Sequence, residues 1–412
     1  MNPYLLAVII FLFLDWLLSS VANLLDARHT PAEVPAEFAD IVDASAYAKS
    51  VAYNRALEKI SIISETSGTI VLLAFLLVGG FDWLDGVVRS WEQSPLVTGI
   101  AYIGILSLAS SLVGLVFDAW RTFGPEARFG FNTTTVGTFV RDRILGFVLS
   151  VVLGVPLLAG ILLFFAQTGP AAWLWCWALV TVFSLAVTYV APTWILPLFN
   201  KYTPLEEGSL RRAIEDFARK ASFEVGGIFV MDGSRRSTKG NAFFTGLGRR
   251  KRIALFDTLL RDHTEAEIVA VLAHEVGHAK CGHIRKGLVA GILRTGLLFF
   301  LMSLFLDNPG LFDAFGMVHR SIYAGLVFFV ILYTPISLLL GIGMNYVSRR
   351  HEFEADRFSA RTTGEPQALA SALRRLSVSS SSNLSPHPLK VWLEYGHPPV
   401  IDRLRALAAI AK

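Results

Sequence analysis

Seven apolar runs, each about long enough to cross a bilayer, decide what this chain can fold into. They fall at residues 4–25, 60–80, 96–118, 144–167, 172–199, 286–307 and 321–347. Lipid offers a backbone no hydrogen bonds, so each run must form a helix. The composition agrees. Of 412 residues, 53% are hydrophobic and 17% charged, against about 25% charged in a soluble domain. The expected fold class is an all-α membrane protein. The link Gln167-Thr-Gly-Pro170 is so short that the fourth and fifth runs must make an antiparallel hairpin.

Two polar stretches, 200–285 and 348–412, hold nearly all the candidate chemistry. They divide the chain into 1–199 (five spans), 200–285, 286–347 (two spans) and 348–412. Residues 26–59 carry Arg28, Lys49, Arg55 and Lys59, and 119–143 carry Arg121, Arg128, Arg141 and Arg143. The alternate links carry Arg89, then nothing, then Arg320. By the positive-inside rule the N-terminus faces out and both polar stretches face the cytoplasm. The first run lacks a basic n-region, so it reads as a retained span and not a cleaved signal. A net charge of +4 with no basic stripe argues against nucleic acid as a partner. Cys176 and Cys281 form no CxxC and read as core residues. Asp15, Glu65 and Arg294, with the polar Asn345, lie inside spans, where facing lipid is costly. They should face one another or a wet interior. Structural pairing and a hydrated cavity both stay open.

Local patterns place a helix at Ser209–Ala221, a strand at Gly227–Asp232, and a hairpin of 241–245 and 252–256 around Gly246-Leu-Gly248. Thr264 and Glu267 form a capping box that opens a helix. Another helix covers Ser348–Ala360, Ser377–Ser382 reads as a flexible loop, and Val400–Ile410 as a final helix.

The capped helix carries His274-Glu-Val-Gly-His278. Histidines four apart stack on one helix face and can grip one metal ion, with Glu275 beside them as a base. This is the zinc metalloprotease signature. A catalytic zinc takes three protein ligands and leaves one position for water. Cys281 and Ile284 exclude the metzincin extension. His283, five residues on and about 140° further round a continuous helix, reads as a solvated helix-end histidine. Glu352 is the better third ligand, with His351 competing. Asp356 shares a helix face with Glu352 and would orient a ligand histidine. Glu354 would point away into solvent. The implied chemistry is peptide hydrolysis by a zinc-activated water, with Glu275 taking its proton. His397 and Arg403, read from their chemistry alone, are a cap and a surface arginine.

The chain resembles the integral-membrane CAAX prenyl proteases of type I, which are gluzincin zinc endopeptidases. The likeness rests on Asn200-Lys-Tyr-Thr-Pro-Leu205, Asn241-Ala-Phe-Phe-Thr-Gly246, 251–260, His274–His278, Ser348–Asp356 and His397–Arg403. It implies one zinc per chain held by His274, His278 and Glu352, with Glu275 as base and Asp356 behind the ligands. It also implies that Asn241 and Ala242 form an edge that pairs with the substrate backbone. His397 and Arg403 become a transition-state and substrate-binding pair, reversing their bland reading. The implied fold is seven transmembrane helices enclosing a water-filled chamber, with a mostly helical cytoplasmic protease region containing a small β-hairpin or sheet. The partners implied are a peptide or protein substrate, possibly prenylated, and membrane lipid. The compact length suggests a bacterial inner membrane, with the endoplasmic reticulum as the eukaryotic counterpart. In a bacterium, clearance of damaged membrane proteins would be the more natural task. A seven-span receptor or transporter with a structural zinc is the competing class, but such a zinc normally has four protein ligands, and no fourth is evident. A scaffold with a dead site is opposed by the intact ligands and base.

Overall fold

Each apolar run is helical, and polar side chains mark where the first helices begin. The computed structural model describes residues 2–31, 33–245 and 252–410. Helix α1 (Pro3–His29) starts at Asn2, whose Oδ1 accepts from the Tyr4 amide at 2.8 Å. Helix α2 (Ala44–Leu77) starts at Asp43, which accepts from the Ala46 amide at 2.8 Å. Such caps satisfy amides that a first turn leaves unpaired. A short α3 (Gly80–Arg89) precedes α4 (Pro95–Arg121), α5 (Val136–Gln167) and α6 (Ala172–Val190), which α7 (Leu196–Phe199) follows. The expected hairpin forms: α5 and α6 pack together, with Cys176 buried and its Sγ 3.7 Å from the Ile161 carbonyl.

The first polar stretch holds β1 (Tyr202–Pro204), α8 (Ser209–Lys220), β2 (Ile228–Met231), β3 (Ala242–Thr245), β4 (Arg252–Phe256), α9 (Asp257–Asp262) and α10 (Glu265–Lys280). The strands form one sheet in the order β1-β2-β4-β3. β3 and β4 pair antiparallel, Ala242 with Leu255 and Thr245 with Arg252, as the sequence predicts. The turn at Gly246–Gly248 lies outside the described residues. β2 runs parallel to β4, and β1 antiparallel to β2. β1 is an unexpected element: a three-residue strand ending in Pro204, which suits a sheet edge. Arg236 clasps this region to the foot of α5, bonding both Asp142 oxygens at 2.7 and 3.0 Å and Asn200 Oδ1 at 2.6 Å.

The sixth span is α11 (His283–Phe305), followed by α12 (Pro309–Ala314). The run expected as a single seventh span is two helices, α13 (Ile322–Leu332) and α14 (Thr334–Thr363), bent by 51°. Pro335 has no N–H for the Ile331 carbonyl, and the Thr334 hydroxyl donates to that carbonyl instead, at 2.9 Å. The chain ends in α15 (Pro366–Ser379), α16 (Pro388–Glu394) and α17 (Val400–Ile410). The expected loop at Ser377–Ser382 is in part the last turn of α15, where the Ser377 hydroxyl donates to the Leu373 carbonyl at 2.7 Å.

The spans enclose a chamber. Of the 32 residues of α5, Leu162 is the buried one, and α4 buries Thr98, Gly99 and Tyr102. A helix in a solid bundle hides a continuous stripe; these pack flank to flank around a hollow. One cavity of about 530 Å³ is lined by Asp15, Ser19, Glu65 and Thr69. A second, of about 410 Å³, shares Glu65 and adds Asn54, Ser61 and Arg121. Ser19 and Ser61 each donate to Glu65 at 2.7 Å. Asp15 and Glu65 therefore face a polar interior. Arg294 does not join them and donates to Ser337 Oγ at 2.8 Å, while Asn345 donates to the Leu393 carbonyl. An aromatic plug from α3, α12 and α13 packs the end of the bundle away from the sheet, with Phe315 stacked on Phe328 at 3.9 Å.

Candidate metal centre

The site begins with a well-capped helix. Thr264 Oγ1 accepts from the Glu267 amide at 3.3 Å, and Glu267 Oε2 accepts from the Thr264 amide at 2.9 Å. Nine of the sixteen residues of α10 are buried. Its small residues Ala270, Ala273 and Gly277 lie wholly or almost wholly out of solvent, and α10 packs closely on α14. Ser359 on α14 donates to the Ala270 carbonyl at 2.7 Å. A Cβ on Gly277 would stand 3.1 Å from the Ala355 Cα, which is backbone and cannot step aside. The glycine of the motif thus sets the helix separation, and that separation brings Glu352 to the two histidines.

Among the described residues, His274, His278 and Glu352 form the group whose ligating atoms all lie within 4.8 Å of one another. The two Nε2 atoms are 3.1 Å apart. Glu352 Oε1 is 3.2 Å from His278 Nε2, and Oε2 is 3.4 Å from His274 Nε2. His274 Nδ1 donates to Asp356 Oδ1 at 2.8 Å, which leaves a bare lone pair on its Nε2. Asp356 in turn accepts from Arg403 Nε at 2.9 Å and Nη2 at 2.6 Å, while Arg403 Nη1 lies 3.3 Å from Glu352 Oε2. Arg403 is 8% exposed, so it is no surface arginine. His397 is exposed, with Nε2 3.4 Å from Glu352 Oε1. Two imidazole nitrogens facing each other beside a buried carboxylate make a cation site by their chemistry.

Glu275 sits on the same helix, half-buried, and no hydrogen bond satisfies its carboxylate among the described residues. Burial holds that carboxyl above the usual glutamate range, although His274 and His278 pull the other way. Ala242 lies in β3, the outermost strand, which packs against α10. Asn241 precedes it, and its carbonyl accepts from the Phe256 amide at 3.0 Å. Among the described residues no strand covers the other edge of β3.

Two expectations need correction, those for His283 and Glu354, while His351 falls where the preference for Glu352 would leave it. His283 is not a solvated helix end; it is buried, with Nδ1 3.1 Å from His278 Nδ1. Glu354 does not point idly into solvent; Oε2 lies 3.0 Å from His283 Nε2. His351 lies outside the metal cluster and stacks on His283, with ring centroids 3.9 Å apart and planes within 10°. The extrapolation past His278 assumed one continuous helix. Gly282, at φ 73°, ends α10 and starts α11, so His283 swings back under His278. A glycine just beyond a helical run is the signal that marks such a break.

Comparison with known proteins places this geometry. Residues 23–201 match the family described as CAAX prenyl protease N-terminal, five membrane helices, and residues 204–411 match peptidase family M48. A CAAX prenyl protease 1 homolog from Oryza sativa is 33% identical over 98% of this chain and 97% of its own length. CAAX prenyl protease 1 of Saccharomyces cerevisiae is 34% identical over 92% of this chain and 89% of its own. The crystal structure of S. mikatae Ste24p superposes with a TM-score of 0.93 at 31% identity, covering 99% of both chains.

Proposed function

This chain belongs to peptidase family M48, in its CAAX prenyl protease group, and on that premise we propose a zinc endopeptidase that processes the C-terminal tails of prenylated CAAX proteins. The observation that carries the zinc reading is the spacing of the three donors. Ligands about 2.0–2.1 Å from a tetrahedral zinc stand about 3.3 Å apart. The two Nε2 atoms here are 3.1 Å apart, and each has one oxygen of Glu352 beside it, Oε1 at 3.2 Å from His278 and Oε2 at 3.4 Å from His274. Two histidines and a glutamate are a catalytic ligand set that leaves a position free. Residues 200–285 and 348–412 form the protease region on this reading, and 1–199 with 286–347 form the membrane frame. The clustering of arginine and lysine puts the protease end toward the cytoplasm.

When bound, zinc supplies a Lewis acid that polarises the scissile carbonyl and acidifies the attacking water. Glu275 receives the water's proton and passes it to the leaving amine. With no hydrogen-bond partner among the described residues, both its oxygens serve that exchange, and burial makes it a stronger base than an ordinary glutamate. Asp356 holds His274 by its Nδ1–H, and Arg403 holds Asp356 and Glu352. The exposed His397 is free to donate to the developing oxyanion. The open edge of β3, at Asn241 and Ala242, takes the substrate backbone as an added strand.

The test is zinc analysis together with digestion of a farnesylated and an unfarnesylated CAAX peptide by the detergent-solubilised protein. We expect one zinc per chain, cleavage of the farnesylated peptide, and a loss of about 10²–10⁴-fold in kcat/KM for Glu275→Gln with zinc retained. Equal cleavage of both peptides would replace prenyl selectivity with a general membrane-protein clearance role. Full activity of Glu275→Gln would remove the glutamate from the mechanism.

A further inference from the structure

The two ligand histidines are served by different partners. His274 leans on a carboxylate, Asp356. His278 leans on a second imidazole, which leans on a carboxylate: His278 Nδ1 to His283 Nδ1 at 3.1 Å, then His283 Nε2 to Glu354 Oε2 at 3.0 Å.

Proton positions follow from what each group can do. An ionised carboxylate only accepts, so the proton of the last contact belongs to His283 Nε2. A neutral His283 then offers Nδ1 as an acceptor, and the proton of the first contact belongs to His278 Nδ1. That leaves His278 Nε2 bare and aimed at the metal position. Reversing the chain would put a proton on His278 Nε2 and block the site. The geometry around His283 admits little freedom. It is 6% exposed, its ring is stacked on His351, and the Gly282 turn sets its approach.

We propose that His283 and Glu354 are positioning residues for the metal site, fixing the tautomer and ring plane of His278 as Asp356 does for His274. Neither touches metal or substrate. The proposal rests on reading His274, His278 and Glu352 as zinc ligands. Partners that orient ligand histidines in this way are typically worth 10–100-fold in metal affinity or activity.

The experiment measures zinc affinity of the full-length protein in detergent, by competition with a chromophoric chelator, for wild type, His283→Leu, His283→Asn and Glu354→Leu. Unfolding of the zinc-free forms is followed in parallel. In His283→Asn the side-chain Oδ1 occupies nearly the place of the histidine Nδ1 and can accept from His278. His283→Leu should lose 10–100-fold in zinc affinity. His283→Asn should recover most of it, and Glu354→Leu should lose several-fold, because it frees the tautomer without removing the acceptor. Wild-type affinity in His283→Leu would overturn the proposal. So would an equal loss in His283→Asn and His283→Leu, which would mean that packing against His351 matters and the acceptor does not. A wild type that binds no zinc would instead sink the reading of the site itself, and the two failures are distinct.

Discussion

Helices α5 and α10 belong to the same chain and obey opposite rules. α5 has 32 residues and buries one; α10 has sixteen and buries nine. α5 is bounded by lipid on one side and the chamber on the other, so its place is set by hydrophobicity and by contacts along its flanks. α10 is gripped by α14 through a seam of alanine, glycine and serine, with the buried His274 bonded across the packing to Asp356. The lesson is that the frame tolerates variation in shape while the metal centre depends on separations of tenths of an ångström.

The sharpest way to break this contrast is to open the buried charge pair. Arg403→Met takes from the buried Asp356 its only cationic partner among the described residues, leaving it the His274 Nδ1–H, and should cost about 3–5 kcal/mol of stability, read by chemical unfolding in detergent. Adding Asp356→Leu should restore much of that stability but not zinc affinity, because His274 Nδ1–H has then lost its acceptor. If the double variant binds zinc like the wild type, the orienting role of Asp356 is wrong. Gly277→Val drives a branched side chain into the Ala355 backbone and should cost about 3 kcal/mol, the upper end for overpacking. Zinc affinity should fall with it, and unaltered binding would show that the seam does not set the ligand positions.

A change of pH tests the centre without altering its packing. Glu275 must be ionised to accept a proton, and burial raises its pKa above the 4.5 of an unperturbed glutamate. The acid limb of kcat/KM should therefore fall off at a higher pH than an ordinary carboxylate would give. A limb at or below 4.5 would contradict the buried base. The smallest effect belongs to the frame. Val152 on α5 is 60% exposed, and Val152→Ala should change stability by less than about 0.5 kcal/mol and leave activity intact.

Much of this was legible in the residues. Lipid demands long apolar runs, so the spans stand out in the sequence, although α2 begins at Ala44, well before its apolar run, and α14 continues to Thr363. The strands of the β3–β4 hairpin and the Thr264–Glu267 box were visible because turn and cap chemistry is local. The bend at Pro335 was hidden inside an unbroken apolar run, although the proline itself was the clue. β1 is too short to carry a period, and α3 lies in a link that hydropathy does not resolve. An angle carried along a helix means nothing beyond the glycine that ends it, which hid the place of His283 and, with it, the partner of Glu354.

By itself the sequence determined the membrane class, two histidines four residues apart with a base beside them on one helix, and the family. These are properties of composition and near neighbours, which a chain carries before it folds. Only the tertiary structure decided that Glu352 reaches His274 and His278, that Arg403 is buried behind them, and that His283 turns back beneath His278. The first two of those contacts join helices separated by two spans, and the third depends on the turn at Gly282. The contact of Glu352 with the histidines exists because Gly277 lets α10 approach α14, a distance that no local pattern in the sequence records.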